Sequence, residues 1–446
     1  MSINLPSVGI IGAGLAGSEA ALVLARRGVA VELFEMRPQT MTPAHKTGLP
    51  AELVCSNSLK SNELPSAQAL LKQELLQCRS PLLQCALESS VPAGSALAVD
   101  RIKFSTKVLL ALRSLPTVTL RTEEMSCPRE DHTYYIVSAG PLASAPLVQW
   151  LVETFSAESL QFYDAIAPII PLDSIDTKIA FYSSRWKPLE PDYLNCPFTE
   201  EEYNRFYDGL IAADTATAHD FESGRFFEAC LPLEIIARRG RRSMAFGPLK
   251  PVGFTDPRTG KRPYALCQLR RETNDGDSFS MVGFQTRLTV PAQQKVFRLI
   301  PGLENARFQR FGSCHRNTYM DSPKILSSDL SFKKREAFFL AGQLCGNEGY
   351  FESIATGHLA ALFILARLQG RRIPPPPATT ACGALLRHVT GSEVRPFSPS
   401  SFHFGLMPVL SQTVQKRIGK REKHEMLCKR ALQDFVKWRE DQDLSN

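Results

Sequence analysis

VGIIGAGLAGSEAALVLARRGVAVELFE, residues 8–35, is the stretch from which the fold follows. Residues 8–11 are a short apolar run of strand character. Residues 18–27 carry a helical pattern that stops at Gly28, and residues 29–35 are apolar and β-branched enough for a buried strand. Between the first strand and the helix lie Gly12, Ala13, Gly14, Leu15, Ala16 and Gly17, a G-x-G-x-x-G in the strand-to-helix context of a dinucleotide fingerprint. The first glycine permits the tight turn, the second lets a pyrophosphate approach the backbone, and the third lets helix and strand pack. The phosphates are then left on the helix N-terminus. Glu35, at the end of the second strand, is positioned to accept hydrogen bonds from ribose hydroxyls, and its charge disfavours a 2′-phosphate. The stretch therefore predicts the opening β-α-β of a doubly wound α/β sheet that binds a dinucleotide.

Further along, an apolar strand at 134–137 ends on Ala139-Gly140-Pro141 and leads into a helix. A strand at 337–341 closes on Gly342, and a helix over 351–368 carries the small residues Ala355, Gly357, Ala360 and Ala361. These two elements, with the first, resemble the flavin-binding elements of enzymes similar to glutathione reductase, and they point to FAD rather than NAD. Gln343 stands where those enzymes usually have an aspartate; small residues on a helix are by themselves a sign of close packing. Residues 51–87 are expected to be mostly helical, broken by polar Ser/Asn-rich turns. Between 161 and 331 the texture changes to short, aromatic, proline-interrupted strands such as 264–270 and 280–285. Residues 374–377, four prolines, can only be extended, and 414–438 form an amphipathic basic helix. The expected architecture is a Rossmann-like, glutathione-reductase-type FAD-binding domain in two parts, 1–160 and 332–446, with an α+β domain inserted at 161–331.

The 446 residues are 43% hydrophobic, enough for two or three cored domains. No apolar run approaches the roughly 20 residues of a membrane span, and the first seven residues do not resemble a signal peptide, so a cytoplasmic protein is expected. Eleven cysteines are scattered without a C-x-x-C pair, which argues for thiols and against a zinc site or a dithiol oxidoreductase. The net charge is +7. Its basic residues cluster at Arg238, Arg239, Arg241 and Arg242, at Lys250, Lys261 and Arg262, and at Lys416, Arg417, Lys420, Arg421 and Lys423. Such clusters are solvated faces by default and phosphate-holding faces in a nucleic-acid enzyme.

A series of further stretches, in order, resembles one family: the folate- and FAD-dependent tRNA (uracil-5-)-methyltransferases, TrmFO, related to the GidA flavoproteins. They are GAGLAGSEAA (12–21), AELVCSNS (51–58), PAGSALAVDR (92–101), FYDAIAP (162–168), YLNCP (193–197) and EACLPLEIIARRG (228–240). GPLKPVG (247–253), GKRPY (260–264), VGFQT (282–286), HRNT (315–318) and GNEGYFES (346–353) complete it. The resemblance implies C5-methylation of a T-loop uridine in tRNA. 5,10-Methylenetetrahydrofolate supplies the carbon, and the flavin, reduced by NADH or NADPH, supplies the hydride. Such chemistry needs a thiolate to add at uracil C6 and a second group to take the C5 proton. Cys55 and Cys230 fall on the family's two functional cysteines, and Tyr350 matches a tyrosine expected beside the flavin. His315 is read first as a core or hydrogen-bonding residue, and Cys196 as structural. Three positions depart from the family: Arg287 replaces a histidine thought to face the folate, Ser95 replaces a glycine, and Arg241-Arg242-Ser243 makes its loop unusually basic. An arginine at 287 could still stack on a pterin. The alternatives are the same chemistry on a 23S rRNA uridine, or a non-methylating FAD-containing RNA-binding protein.

Overall fold

In a computed structural model of the chain, β1 (Ser7–Ile11) lies at the centre of a six-stranded sheet. It pairs in parallel with β2 (Ala30–Glu35), Val8 opposite Val31, and with the strand Tyr134–Val137, Val8 opposite Tyr134. The full order is Ser331–Phe332, Arg335–Leu340, Tyr134–Val137, β1, β2, Val118–Thr122. Only the pair at the first edge is antiparallel. Val8, Ile10, Leu33, Ile136 and Val137 are fully buried, which is why these strands read as near-continuous apolar runs rather than alternating ones. The structure describes residues 6–129, 131–185, 192–216, 231–393, 396–410 and 418–444. Cys230, Lys416 and Arg417 lie outside the described residues.

The helix after β1, α1 (Leu15–Ala25), begins three residues earlier than its sequence pattern suggests. Gly14 is its N-cap, and Ser18 N–H already donates to the Gly14 carbonyl, so Gly17 is inside the helix. Every residue of α1 is buried, because it lies between the sheet and the long helix Tyr350–Leu368. A Cβ on Gly357 would fall 2.2 Å from the Ala16 carbonyl oxygen, so the small residues of the long helix serve close packing. That helix is the exception to the expectation that no apolar segment approaches spanning length: its 19 residues qualify by length and composition, yet they are core, Phe351 to Ala366 being buried without interruption.

Residues 51–66 are not helical as expected; they form a loop and the short strand Ser58–Ser61 before the helices Ala67–Gln77 and Pro81–Leu87. Side chains take up the backbone groups that a helix would have used. The Glu52 carboxylate accepts from Lys46 and Thr47 N–H, and the Ser56 and Ser58 hydroxyls accept from the N–H two residues on.

Residues 169–300 build a second, antiparallel sheet in the order Phe181–Tyr182, Tyr193–Phe198, Ala265–Arg271, Ser278–Met281, Ile169–Pro171. Its core, from Ile170 to Ala306, is a cluster separate from that under the parallel sheet. The strand expected at 280–285 stops at Met281, because Gly283 has φ +79° and turns the chain. A two-stranded ribbon, Ser159–Ile166 against Ser313–Met320, carries the chain into and out of this region. The last helix, Lys420–Asp441, lays Leu427, Cys428, Ala431, Phe435 and Trp438 towards the core beside the helix Ala67–Gln77.

Candidate functional site

A cavity of about 310 Å3 opens at the C-terminal ends of the parallel strands, within the size range of ligand sites. It is lined by Gly12, Gly14, Leu15 and Ala16 with Glu35 and the turn 138–141, by Gly342 and Gln343, and by Cys55, Ser56 and Tyr350. Gln285, His315 and Asn317 close it from the side of the second sheet and the ribbon.

The three motif glycines have three different reasons. Gly12 sits at φ +97°, and a Cβ there would meet the Ala139 backbone at 2.6 Å. Gly17 abuts the turn itself, its Cβ position lying 2.0 Å from the Gly12 carbonyl oxygen. At Gly14 the nearest atom to an added Cβ is Ser138 O, 4.0 Å away, so that side is open to the cavity. No side chain caps α1, and the first N–H groups of the helix face the space beside the turn. The N-terminus of the long helix, at Gly349–Tyr350, also lacks a side-chain cap and also borders the cavity. An open glycine face, two uncapped helix N-termini and a carboxylate at the second strand end fit a dinucleotide with its pyrophosphate at the glycine turn.

Glu35 accepts from Ala13 N–H at 3.0 Å and from the Arg37 guanidinium at 2.8 and 3.1 Å. Burial alone would raise its pKa, but the hydrogen bonds and charge of Arg37 and the Ala13 N–H hold it below the usual carboxylate range. Arg37 is nearly inaccessible and also pairs with Glu52. Nothing in the sequence motif signals it; an arginine after a strand reads as surface.

Cys55 is half-buried and lines the cavity. Its loop is pinned from four directions. The Tyr350 hydroxyl oxygen accepts from the N–H groups of Cys55 (2.9 Å) and Ser56 (3.1 Å). Arg101 donates to the carbonyl of Leu53 at 2.8 Å and forms a two-point ion pair with Glu272. Arg270 donates to Asn57 Oδ1 and Ser56 Oγ, both at 2.7 Å, and Asn57 returns a bond to the Arg271 carbonyl. Lys72, fully buried, donates to the carbonyls of Lys60 (2.9 Å) and Ser61 (2.6 Å), and burial pushes its pKa down to about 7. Arg101 and Arg270 thus hold the chain on either side of Cys55, at the Leu53 carbonyl and at Ser56 Oγ. Burial and the neighbouring Cys55 raise the Tyr350 pKa, with Arg101 and the two N–H groups opposing.

His315 is a cavity-wall residue rather than a core one: it lines the space beside Asn317 and hydrogen-bonds Ser313 Oγ at 3.0 Å. Burial, Arg310 and Lys46 lower its pKa. Arg287 is not in the cavity wall. Glu234, a buried carboxylate, accepts from its N–H at 2.9 Å and lies 3.5 Å from its Nε. Cys230 lies outside the described residues; shortly after it, Leu233 N–H donates to the carbonyl of Gln285, a cavity residue. Cys196 is fully buried opposite Cys267, without a disulfide, and burial raises its pKa. Of the arginine cluster, Arg241 pairs with Asp208 and lies over the Tyr207 ring, and Arg238, Arg239 and Arg242 are exposed.

Comparison with known proteins bears on this arrangement. A family model described as glucose inhibited division protein A matches residues 7–372. A methylenetetrahydrofolate--tRNA-(uracil-5-)-methyltransferase TrmFO of Desulfitobacterium hafniense (strain Y51) is 48% identical over 429 residues, 96% of this chain and 97% of its own. The chain belongs to the TrmFO family. A second TrmFO, from Halalkalibacterium halodurans, is 46% identical over 438 residues, 98% of this chain and all of its own. Among solved structures, GidA of Aquifex aeolicus superposes with a TM-score of 0.69 at 15% identity, over all of this chain and 76% of that one, and so shares the fold. Membership of the TrmFO family and the doubly wound flavoenzyme fold thus agree with the glycine turn and the cavity.

Proposed function

We propose that this chain methylates C5 of a uridine in tRNA, in the T-loop. 5,10-Methylenetetrahydrofolate is the carbon donor, FAD the bound cofactor and NADH or NADPH the reductant. The observation that carries the reading is that Cys55 lines the same cavity as the glycine turn, in a chain of the TrmFO family. Gly12, Ala13, Gly14, Leu15, Ala16 and Gly17 would take the pyrophosphate on the open face of the turn, Glu35 the ribose, and Gly342 and Tyr350 the flavin end. When bound, FAD supplies the hydride that reduces the exocyclic methylene to methyl.

The residues of the chain do the rest. The Cys230 thiolate adds to C6 of the uracil, forming a C–S bond and turning the ring into an enolate whose C5 attacks the methylene carbon. Cys55 takes the C5 proton as the bond between the transferred carbon and the folate nitrogen breaks, which releases tetrahydrofolate and leaves an exocyclic methylene; once that methylene is reduced, the C6–S bond breaks and returns the Cys230 thiolate. Arg238, Arg239 and Arg242 are suited to hold RNA phosphates. In this reading, residues 1–160 and 332–446 form the cofactor domain and residues 161–331 the RNA-facing one.

RNA carrying 5-fluorouridine at the target tests the assignment, because the C5 fluorine cannot leave as a proton and the thiol adduct is trapped. Mass spectrometry should find the RNA on Cys230, and Cys230→Ala should not trap. An adduct on Cys55 exchanges the two roles, and methylation surviving both alanine substitutions excludes thiol chemistry. Mapping of methylated uridines in tRNA and 23S rRNA, with and without the gene, decides between the two RNA targets.

A further inference from the structure

The loop that follows Cys230 leaves an aromatic ring in solvent among cations. Phe246, at the end of the one-turn helix Ser243–Phe246, is 68% exposed, whereas Met244 on the same turn is fully buried and anchors it. A single exposed phenylalanine is ordinary on a protein surface. Its surroundings here are not. Residues 235–255 contain Arg238, Arg239, Arg241, Arg242 and Lys250 and no aspartate or glutamate. The Arg242 guanidinium lies 5.0 Å from the centre of the Phe246 ring and covers one part of it. Arg238, Arg239 and Lys250 are exposed nearby in the chain.

The turn is also tied to the cavity. A Cβ on Gly283 would lie 2.5 Å from Pro248 Cβ, and Leu266 N–H donates to the Leu249 carbonyl, so residues 248–249 pack against Gly283 and the strand Ala265–Arg271. Two residues beyond Gly283, Gln285 lines the cavity. The basic turn is thus joined, through Pro248 and Gly283, to the segment that carries the cavity residue Gln285.

We propose that Phe246 is a stacking platform for an unpaired base of the RNA substrate, with Arg242 and its neighbours holding the flanking phosphates. This rests on the RNA-methylating reading of the chain. Loop nucleotides present unstacked bases, and aromatic rings beside guanidinium groups are what such bases settle on. Splaying a base next to the target would lower the cost of extracting the uridine itself from its stack. Charge complementarity selects RNA over a protein partner for this patch.

The test measures binding of a tRNA transcript by the FAD-loaded protein at several salt concentrations. Phe246→Ala should weaken binding roughly 5- to 140-fold, the usual range for one missing base–aromatic stack. The slope of log affinity against log salt should stay that of the wild type, because no charge is removed. Phe246→Trp should restore binding, and Phe246→Leu should not. Since the side chain is exposed, none of these variants is expected to unfold. Wild-type affinity in Phe246→Ala, or full rescue by leucine, overturns the stacking role. Failure of the wild type itself to bind and methylate RNA overturns the functional reading beneath it.

Discussion

Replacing Tyr350 by phenylalanine removes one oxygen and leaves the packing of the ring. That oxygen is the acceptor for two backbone N–H groups, of Cys55 at 2.9 Å and Ser56 at 3.1 Å. A buried donor deprived of its acceptor costs about 1–3 kcal/mol. The two donors share one oxygen at the edge of a cavity that water can enter, so the bottom of the doubled range, about 2–3 kcal/mol, applies. At about 1.4 kcal/mol per factor of ten, opening of the Cys55 loop becomes roughly 30- to 140-fold more frequent. Hydrogen exchange followed by mass spectrometry reads this directly. Peptides covering residues 53–58 should exchange faster by that factor, while those from the interior of the long helix should not change. FAD should be retained, and uridine methylation should fall because Cys55 is no longer held against the cavity. Exchange at Cys55 and Ser56 within about threefold of wild type would refute the reasoning, since the hydroxyl would then not be what holds the loop.

Gly14→Val should give a folded apoprotein, because the open side of Gly14 accommodates the side chain but only where a pyrophosphate would lie; absorbance of the purified variant reports any FAD kept. Converting Arg238, Arg239 and Arg242 to glutamine should lower the salt slope of tRNA binding by about 0.7 for each phosphate no longer neutralised, with unchanged flavin content; an unaltered slope returns the cluster to ordinary solvation. The buried His358–Glu19 pair, 2.7 Å apart, predicts a loss of stability on the alkaline side. Burial opposes the charge on His358, but Cys78 and Glu19 outweigh it and raise the pKa from 6.5 to about 9. Its contribution is therefore fully present below pH 6.5 and lost as the pH climbs towards 9, so the denaturation midpoint should fall over that window in the wild type and much less in His358→Gln.

The parts of the site legible in the sequence are those whose constraint is local. Gly12 needs a positive φ and Gly17 abuts its own turn, so both must be glycine whatever surrounds them. Strand-to-glycine spacing marks Gly342 for the same reason. The start of α1 is harder to place, because Gly17 reads as part of the turn although Gly14 is the residue that caps the helix. The segment 51–66 is a loop where its own side chains, Glu52, Ser56 and Ser58, accept backbone N–H bonds, and the serines and asparagines between 56 and 62 are the sequence sign of that competition.

By itself, then, the amino-acid order determined the doubly wound frame, the cofactor turn, the family and the identity of Cys55 as a reactive candidate. Folding decided what surrounds that cysteine. Tyr350 reaches Cys55 across 295 positions of chain, Arg101 meets Glu272 across 171, and Arg270 meets Asn57 across 213. A lysine in the middle of a helix, Lys72, reads as a solvated charge until the packed neighbours show it buried against the carbonyls of Lys60 and Ser61. Periodicity records which face of an element is apolar, but a buried charge survives only where another element brings a partner, and that meeting is a property of the assembled core.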